Sequence, residues 1–229
     1  MLYNRDAGEI FLAEKSIDLF FMNPPYLESY VDEYGGETHS HINRVNDEKE
    51  YVTRLMRLVR HVEHALTDSG SAFIMLPNDE NSVILELCKA VLAETKLKLG
   101  KFYVWDFSGT PHLDGVQGDK MGIILHLHNG APHVDPSSFD YVLKTPIDHP
   151  DVLSKYKNFG FVNSLIPVKL YENFIRGFSK PGDTVCDLVG GTGTVIVAAH
   201  NLGRDFVYND ISSEQLAVAT ARLADLTAN

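Results

Sequence analysis

The sequence predicts an α/β protein built on a mostly parallel sheet. Three observations carry this. Short apolar runs alternate with amphipathic stretches, the order of strand, crossover helix and strand. A glycine-rich turn, Gly190-Gly191-Thr192-Gly193-Thr194, joins one such run to one such stretch. The 229 residues are 44% hydrophobic and 22% charged, a globular composition with enough chain for one substantial core.

Each element has its own signal. Residues 16–22 form a short run rich in aromatics that stops at Asn23-Pro24-Pro25, as a buried strand does when its next residues cannot continue it. Residues 27–46 are polar, carry Gly35-Gly36, and read as a long mobile loop. Val52, Leu55, Met56, Val59, Val62 and Leu66 recur at helical spacing over 48–66. Asp68-Ser69-Gly70 reads as the end of that helix, and 71–76 as the next buried strand. A helix over 82–94 and strands over 102–107 and 121–127 follow, and 129–158 reads as irregular. The last third alternates cleanly. A helix over 167–178, a strand over 184–189, a helix over 195–202, a strand over 206–209 and a helix over 213–226 close the chain.

Composition excludes some functions. A net charge of −11 and a pI near 5.3 argue against a protein that coats nucleic acid through a broad basic face, while leaving room for a local basic groove. No apolar run approaches the ~20 residues that span a bilayer. Residues 1–6 lack the basic start of a secretory signal. Cys88 and Cys186 stand far apart without metal-ligand spacing and read as free thiols of a reducing cytoplasm.

The glycine turn lies between a strand that ends in Asp187 and a helix, and Asp210 closes the following strand. Glycines let a ligand approach the backbone, and a carboxylate at that strand end accepts ribose hydroxyls. Glycines at 190, 191 and 193 do not match the G-x-G-x-x-G of dinucleotide sites or the phosphate-gripping P-loop. The spacing suits S-adenosylmethionine, which has a ribose and an adenine but no phosphate. Taken alone, such a turn is also found as a purely structural feature.

Asn23-Pro24-Pro25-Tyr26 carries a definite chemistry. An exocyclic amine is a poor nucleophile because its lone pair is delocalised into the ring. The Asn23 amide oxygen and the Pro24 carbonyl supply two acceptors that turn the lone pair toward a methyl group. The prolines fix the carbonyl direction. Tyr26 offers a stacking face for a base rotated out of the duplex. The bland alternative is a proline-stiffened turn with a buried tyrosine.

Together the two motifs resemble those of the amino-methyltransferases that act on adenine or cytosine in DNA. That family carries [D/N/S]-P-P-[Y/F/W] and D-x-F-x-G-x-G-T, here Asn23 to Tyr26 and Asp187 to Thr194. The catalytic motif comes first, an order similar to the permuted subgroup called beta. The resemblance implies a circularly permuted, Rossmann-like S-adenosylmethionine-dependent methyltransferase fold with a mostly parallel seven-stranded sheet in one domain, 1–229. It implies cofactor contacts at Asp6, Ser164, Asp187, Gly190, Gly191, Thr192, Gly193, Thr194 and Asp210, with Asp6 toward the adenine, Ser164 toward the methionine carboxylate and Asp210 on the ribose. Asp79 is a weaker candidate and reads more readily as a helix N-terminal residue. The resemblance also implies target recognition within 108–158, DNA as partner, a homodimer, and a cytoplasmic setting in a prokaryote or phage, as in restriction-modification.

Departures from the pattern narrow the expectation. Val189 replaces the usual Phe, and Val162 the usual His. Asn23 stands where this subgroup's adenine enzymes have Asp and its cytosine enzymes have Ser, which favours adenine N6 over cytosine N4. The same chemistry serves RNA bases and protein Gln or Asn amides, and a catalytically silent binding fold would carry the same turn. His112, His126, His128, His133 and His149 are too scattered for a metal and read as solvated or turn histidines. Arg54, Arg57, Arg60, Lys96, Lys98 and Lys101 are candidates for phosphate contacts or plain solvated faces.

Overall fold

A computed structural model describes residues 1–24, 47–77, 81–108, 121–146, 154–156, 158 and 166–228. Among the described residues eight strands form: β1 (Leu2–Tyr3), β2 (Ile17–Met22), β3 (Leu66–Pro77), β4 (Lys98–Asp106), β5 (Met121–His128), β6 (Leu143–Lys144), β7 (Thr184–Asp187) and β8 (Asp205–Asn209). The helices among them are α1 (Glu48–Ala65), α2 (Asn81–Glu94), α3 (Val168–Phe178), α4 (Thr194–Asn201) and α5 (Ser213–Thr227). The strands form one sheet in the order β1-β8-β7-β2-β3-β5-β4-β6. Of these strands, β5 alone runs against its neighbours, pairing antiparallel with β3 and β4. The expected α/β, mostly parallel fold is present. The sheet has eight strands rather than seven, and β1 and β6 are two-residue edge strands that carry no signal in the sequence.

Both faces of the sheet are covered. On one, Phe20 and Met22 of β2, Ala72, Ile74 and Leu76 of β3, and Cys186 of β7 meet Leu55, Met56, Val59 and Val62 of α1 and Val83, Leu87 and Val91 of α2. On the other, Leu19, Phe21, Phe73, Met75 and Val185 meet Leu170, Phe174 and Phe178 of α3 and Val195 and Ala198 of α4. Side chains that alternate between two buried faces explain why β2 reads as an unbroken apolar run.

Local chemistry sets the helix ends. The Asp47 carboxylate accepts the Glu50 N–H at 2.9 Å and starts α1. Ser212 does the same for Gln215 at the start of α5. The end of α1 differs from expectation. No turn separates it from β3, because Leu66 is itself extended (φ −70°, ψ 130°) and pairs with Ile17. Leu19 pairs with Ser71, so residues 67–70 bulge, with the Thr67 hydroxyl donating to Asp18 at 3.2 Å.

One further reading changes. The strand expected over 121–127 is β5, which has neighbours on both sides. His126 on that strand is buried, not solvated. Its ring stacks on Phe73 at 4.7 Å, its Nε2 lies 3.0 Å from the Ser71 hydroxyl, and Gly100 leaves room that any Cβ would fill. His112 and His149 lie outside the described residues, as do 27–46.

Candidate active site

The sheet places its polar residues by topology. From β2 the chain crosses through α1 to β3 on one side, and from β7 through α4 to β8 on the other. The β2/β7 boundary is therefore a switch point, and ligands of open α/β sheets bind outside the carboxyl ends of strands at such points. Phe21 of β2 pairs with Asp187 of β7. Asn23 and Val189 lie two residues beyond that pair on parallel neighbours, strands spaced about 4.8 Å apart. Asn23 is half-buried and Pro24 buried. The two predicted motifs thus leave the same edge side by side. Pro25, Tyr26, Asp79 and Ser164 lie outside the described residues.

The next strands add carboxylates. Asp210 follows β8, and its oxygens accept the Gly191 N–H and the Ser212 N–H, each at 2.8 Å. Asp6 follows β1, which pairs with β8 at the far edge. It caps a short 3-10 turn, accepting the Gly8 N–H at 2.7 Å, and stays about half exposed. Asn4 donates to the Asp210 and Ile211 carbonyls and ties this segment down. Asp6, Asp210, the glycine turn and Asn23-Pro24 therefore occupy the carboxyl ends of four adjacent parallel strands.

The glycine turn is held from several sides. The Gly190 N–H donates to the Asn209 carbonyl at 2.9 Å, and a Cβ on Gly190 would lie 2.4 Å from the Tyr208 ring. The Tyr208 hydroxyl donates to the Gly191 carbonyl at 2.5 Å. Gly193 has φ +78° and caps α4. Thr192 and Thr194 are buried.

Burial dominates the electrostatics. The Asp187 carboxyl is almost fully buried, and loss of solvent pushes its pKa up to about 8, although the Val189 N–H donates to it at 3.0 Å. The neighbouring Asp210 charge pushes the same way. Burial also raises Asp210, against the two N–H donors that favour its charged form. An edge with a buried acid, a half-buried acid and several acceptors suits a ligand that brings hydroxyl donors.

Three residues that hold this site have no individual role assigned from the sequence. Asn209 is fully buried and donates to the Leu188 and Arg5 carbonyls while accepting the Arg5 N–H, which joins the N-terminal segment to the exit of β7. Tyr208 and Arg222 brace the turn. Of the candidate phosphate contacts, the three arginines make exposed ion pairs: Arg54 with Glu50 at 2.7 Å, Arg60 with Glu94 at 2.5 Å, and Arg57 4.0 Å from Asp6. Among the described residues no three His, Cys, Asp or Glu side chains group as a metal site, and no helix is long and apolar enough to cross a membrane.

The comparisons with known proteins agree with this arrangement. The sequence model of the N6/N4 methyltransferase family, described as DNA methylase, matches residues 17–221. The Type II methyltransferase M1.MboII of Moraxella bovis is 38% identical over 63 residues, 28% of this chain and 24% of that protein, so the chain spans about a quarter of that relative's length. The solved PvuII DNA methyltransferase (cytosine-N4-specific) superposes with a TM-score of 0.77 over 96% of this chain and 85% of its own, at 17% identity. The putative DNA modification methylase TTHA0409 of Thermus thermophilus, complexed with S-adenosyl-L-methionine, superposes with a TM-score of 0.66 over 98% and 94%, at 19% identity. At such identities the structural likeness is one of fold, that of S-adenosylmethionine-dependent methyltransferases. With the family match spanning nearly the whole chain, this protein belongs to the DNA methylase family of amino-methyltransferases.

Proposed function

We propose that this protein transfers a methyl group from S-adenosylmethionine to the exocyclic amino group of a base in DNA, adenine N6. The observation that carries the reading is the Phe21–Asp187 pairing, from which the Asn23-Pro24 turn and the glycine turn leave adjacent strands at one edge.

The residues present fit the cofactor. Asp210 keeps lone pairs beyond those used by Gly191 and Ser212 and accepts ribose hydroxyls. Asp6 stands at the outer end of the row for the adenine. Ser164 is assigned to the methionine carboxylate, and Asp187 to Thr194 to the floor of the pocket. The cofactor supplies an electrophilic methyl on a sulfonium. The chain's own part is to hold the amine. The Asn23 amide oxygen and the Pro24 carbonyl accept its two hydrogens, which aims the nitrogen lone pair along the S–C bond. The N–C bond forms as S–C breaks, and one amine proton passes to solvent. Tyr26 is assigned to stack on the extruded base, and Pro24 and Pro25 to fix the direction of the carbonyl.

Asn at position 23 favours adenine over cytosine. The net charge of −11 favours a second reading, a protein Gln or Asn amide as acceptor, because little basic surface is left for phosphates. Single-molecule sequencing of host DNA after expression separates these. N6-methyladenine at one short motif is the expected result. N4-methylcytosine transfers the assignment to cytosine, and unmodified DNA overturns the DNA reading. The homodimer is tested by sedimentation of the purified protein with and without cofactor.

A further inference from the structure

The first half of the glycine turn is fixed by β8, through Asn209, Tyr208 and Asp210. The second half is fixed by something else. Helix α5 lies behind it, so close that a Cβ on Gly193 would come within 2.7 Å of the Ala219 Cβ. Three residues further along the same helix, Arg222 is 7% exposed. Its Nη1 donates to the Thr192 carbonyl at 2.9 Å, the Thr192 hydroxyl at 3.2 Å and the Thr194 hydroxyl at 3.1 Å.

A buried guanidinium is costly, and an apolar residue of similar volume packs a helix at least as well. What Arg222 adds is direction. Gly191 and Gly193 sit at φ +52° and +78°, and glycines with that freedom do not hold a single shape by themselves. The bonds from Arg222 close on the two residues that flank Gly193. We propose that Arg222 is a positioning residue for the cofactor, acting through Thr192 and Thr194 to keep the turn in the form that binds S-adenosylmethionine. The inference rests on the cofactor reading above.

Calorimetry with S-adenosylmethionine, thermal unfolding and methyl-transfer kinetics test it together. Arg222→Met keeps the apolar stem and removes the donors. It raises the dissociation constant and the cofactor KM about ten-fold or more, while kcat at saturating cofactor stays within about three-fold of wild type. Arg222→Lys recovers most of the lost affinity. Val218→Ala is the control for a merely structural role. Val218 is on the same helix and packs in a separate apolar cluster with Tyr156, so its loss is expected to lower the unfolding midpoint and to leave cofactor affinity unchanged. Thr194→Val removes one acceptor, and combined with Arg222→Met it costs less than the sum of the two.

Wild-type affinity in Arg222→Met overturns the proposal, as does an equal loss in Val218→Ala. If Arg222→Met does not fold, Thr194→Val carries the test: weakened cofactor affinity supports the proposal and wild-type affinity overturns it. Wild-type protein that gives no heat with S-adenosylmethionine is a different result, which sinks the cofactor reading and this proposal with it.

Discussion

At the carboxyl ends of β7 and β8 the chain holds a buried acid, Asp187, and a half-buried one, Asp210, whereas midway along β5 it buries a histidine, His126, and the two regions treat their polar atoms differently. His126 lies inside an aromatic layer with Phe73, Tyr103 and Phe178, its Nε2 against the Ser71 hydroxyl. Desolvation and the nearby His128 and Lys101 hold its pKa down to about 3, so it is a neutral core residue. The two acids sit where strands end and backbone N–H groups converge, beside glycines that leave the backbone open. The lesson is one of position. A buried polar group within the sheet is part of the packing, while carboxyls at a switch-point edge, with acceptors to spare, are the candidates for a ligand.

The most severe way to break the ligand edge is Gly193→Val. The new side chain meets Ala219 and a φ of +78°, a strain of about 1–3 kcal/mol from the backbone alone. Cofactor heat in calorimetry is expected to vanish, with a lowered unfolding midpoint. Asp210→Ala comes next. It removes the carboxylate that gathers Gly191 and Ser212 and takes away the acceptor proposed for the ribose. Charge-assisted hydrogen bonds of about 1.5–3 kcal/mol put the loss of cofactor affinity at roughly 10- to 100-fold.

A subtler test uses pH. Asp187 in the folded protein keeps its proton up to about pH 8, while in the unfolded chain it loses it near 3.8. Between those values the native state binds more protons, so stability falls as pH rises, by at most about 1.4 kcal/mol per unit for this group. Asp187→Asn retains an acceptor for Val189 and removes that slope, which denaturant midpoints from pH 5 to 8 measure. The smallest signal is expected from the aromatic layer. The His126 ring resonance should stay constant between pH 8 and 5, and a midpoint near 6.5 in NMR would place it in solvent. Because its native pKa is depressed, its contribution to stability is lost as pH falls below about 6.5 toward 3.

Legibility in the sequence follows the range of the signal. Helices α1 and α5 are readable to within a residue or so, because an apolar period and an N-cap are local. The paired edges of β2 and β7 are readable because an apolar run that stops at Asn-Pro or at a glycine turn announces a strand end. Strands β1 and β6 are not, since two residues have no period and exist only through their neighbours. His126 reads as solvated because scattered histidines suggest turns and surfaces, and both faces of the sheet are in fact covered. The roles of Asn209 and Arg222 escape for the same reason as β1: their partners are Arg5 and Thr192, far away in sequence. Asp6 is placed by resemblance and Asp210 also by its position at a strand end, and the carboxyl ends of adjacent strands bring them to the same edge as Asn23.

The most direct measurement is single-turnover methyl transfer by Asn23→Ala, with saturating S-adenosylmethionine and unmethylated DNA carrying the recognised motif as substrate. A fall of about 100-fold or more, with the cofactor dissociation constant within about two-fold of wild type, is expected from removing one acceptor at the reacting amine. Transfer at the wild-type rate contradicts the assignment of that strand end as the catalytic centre.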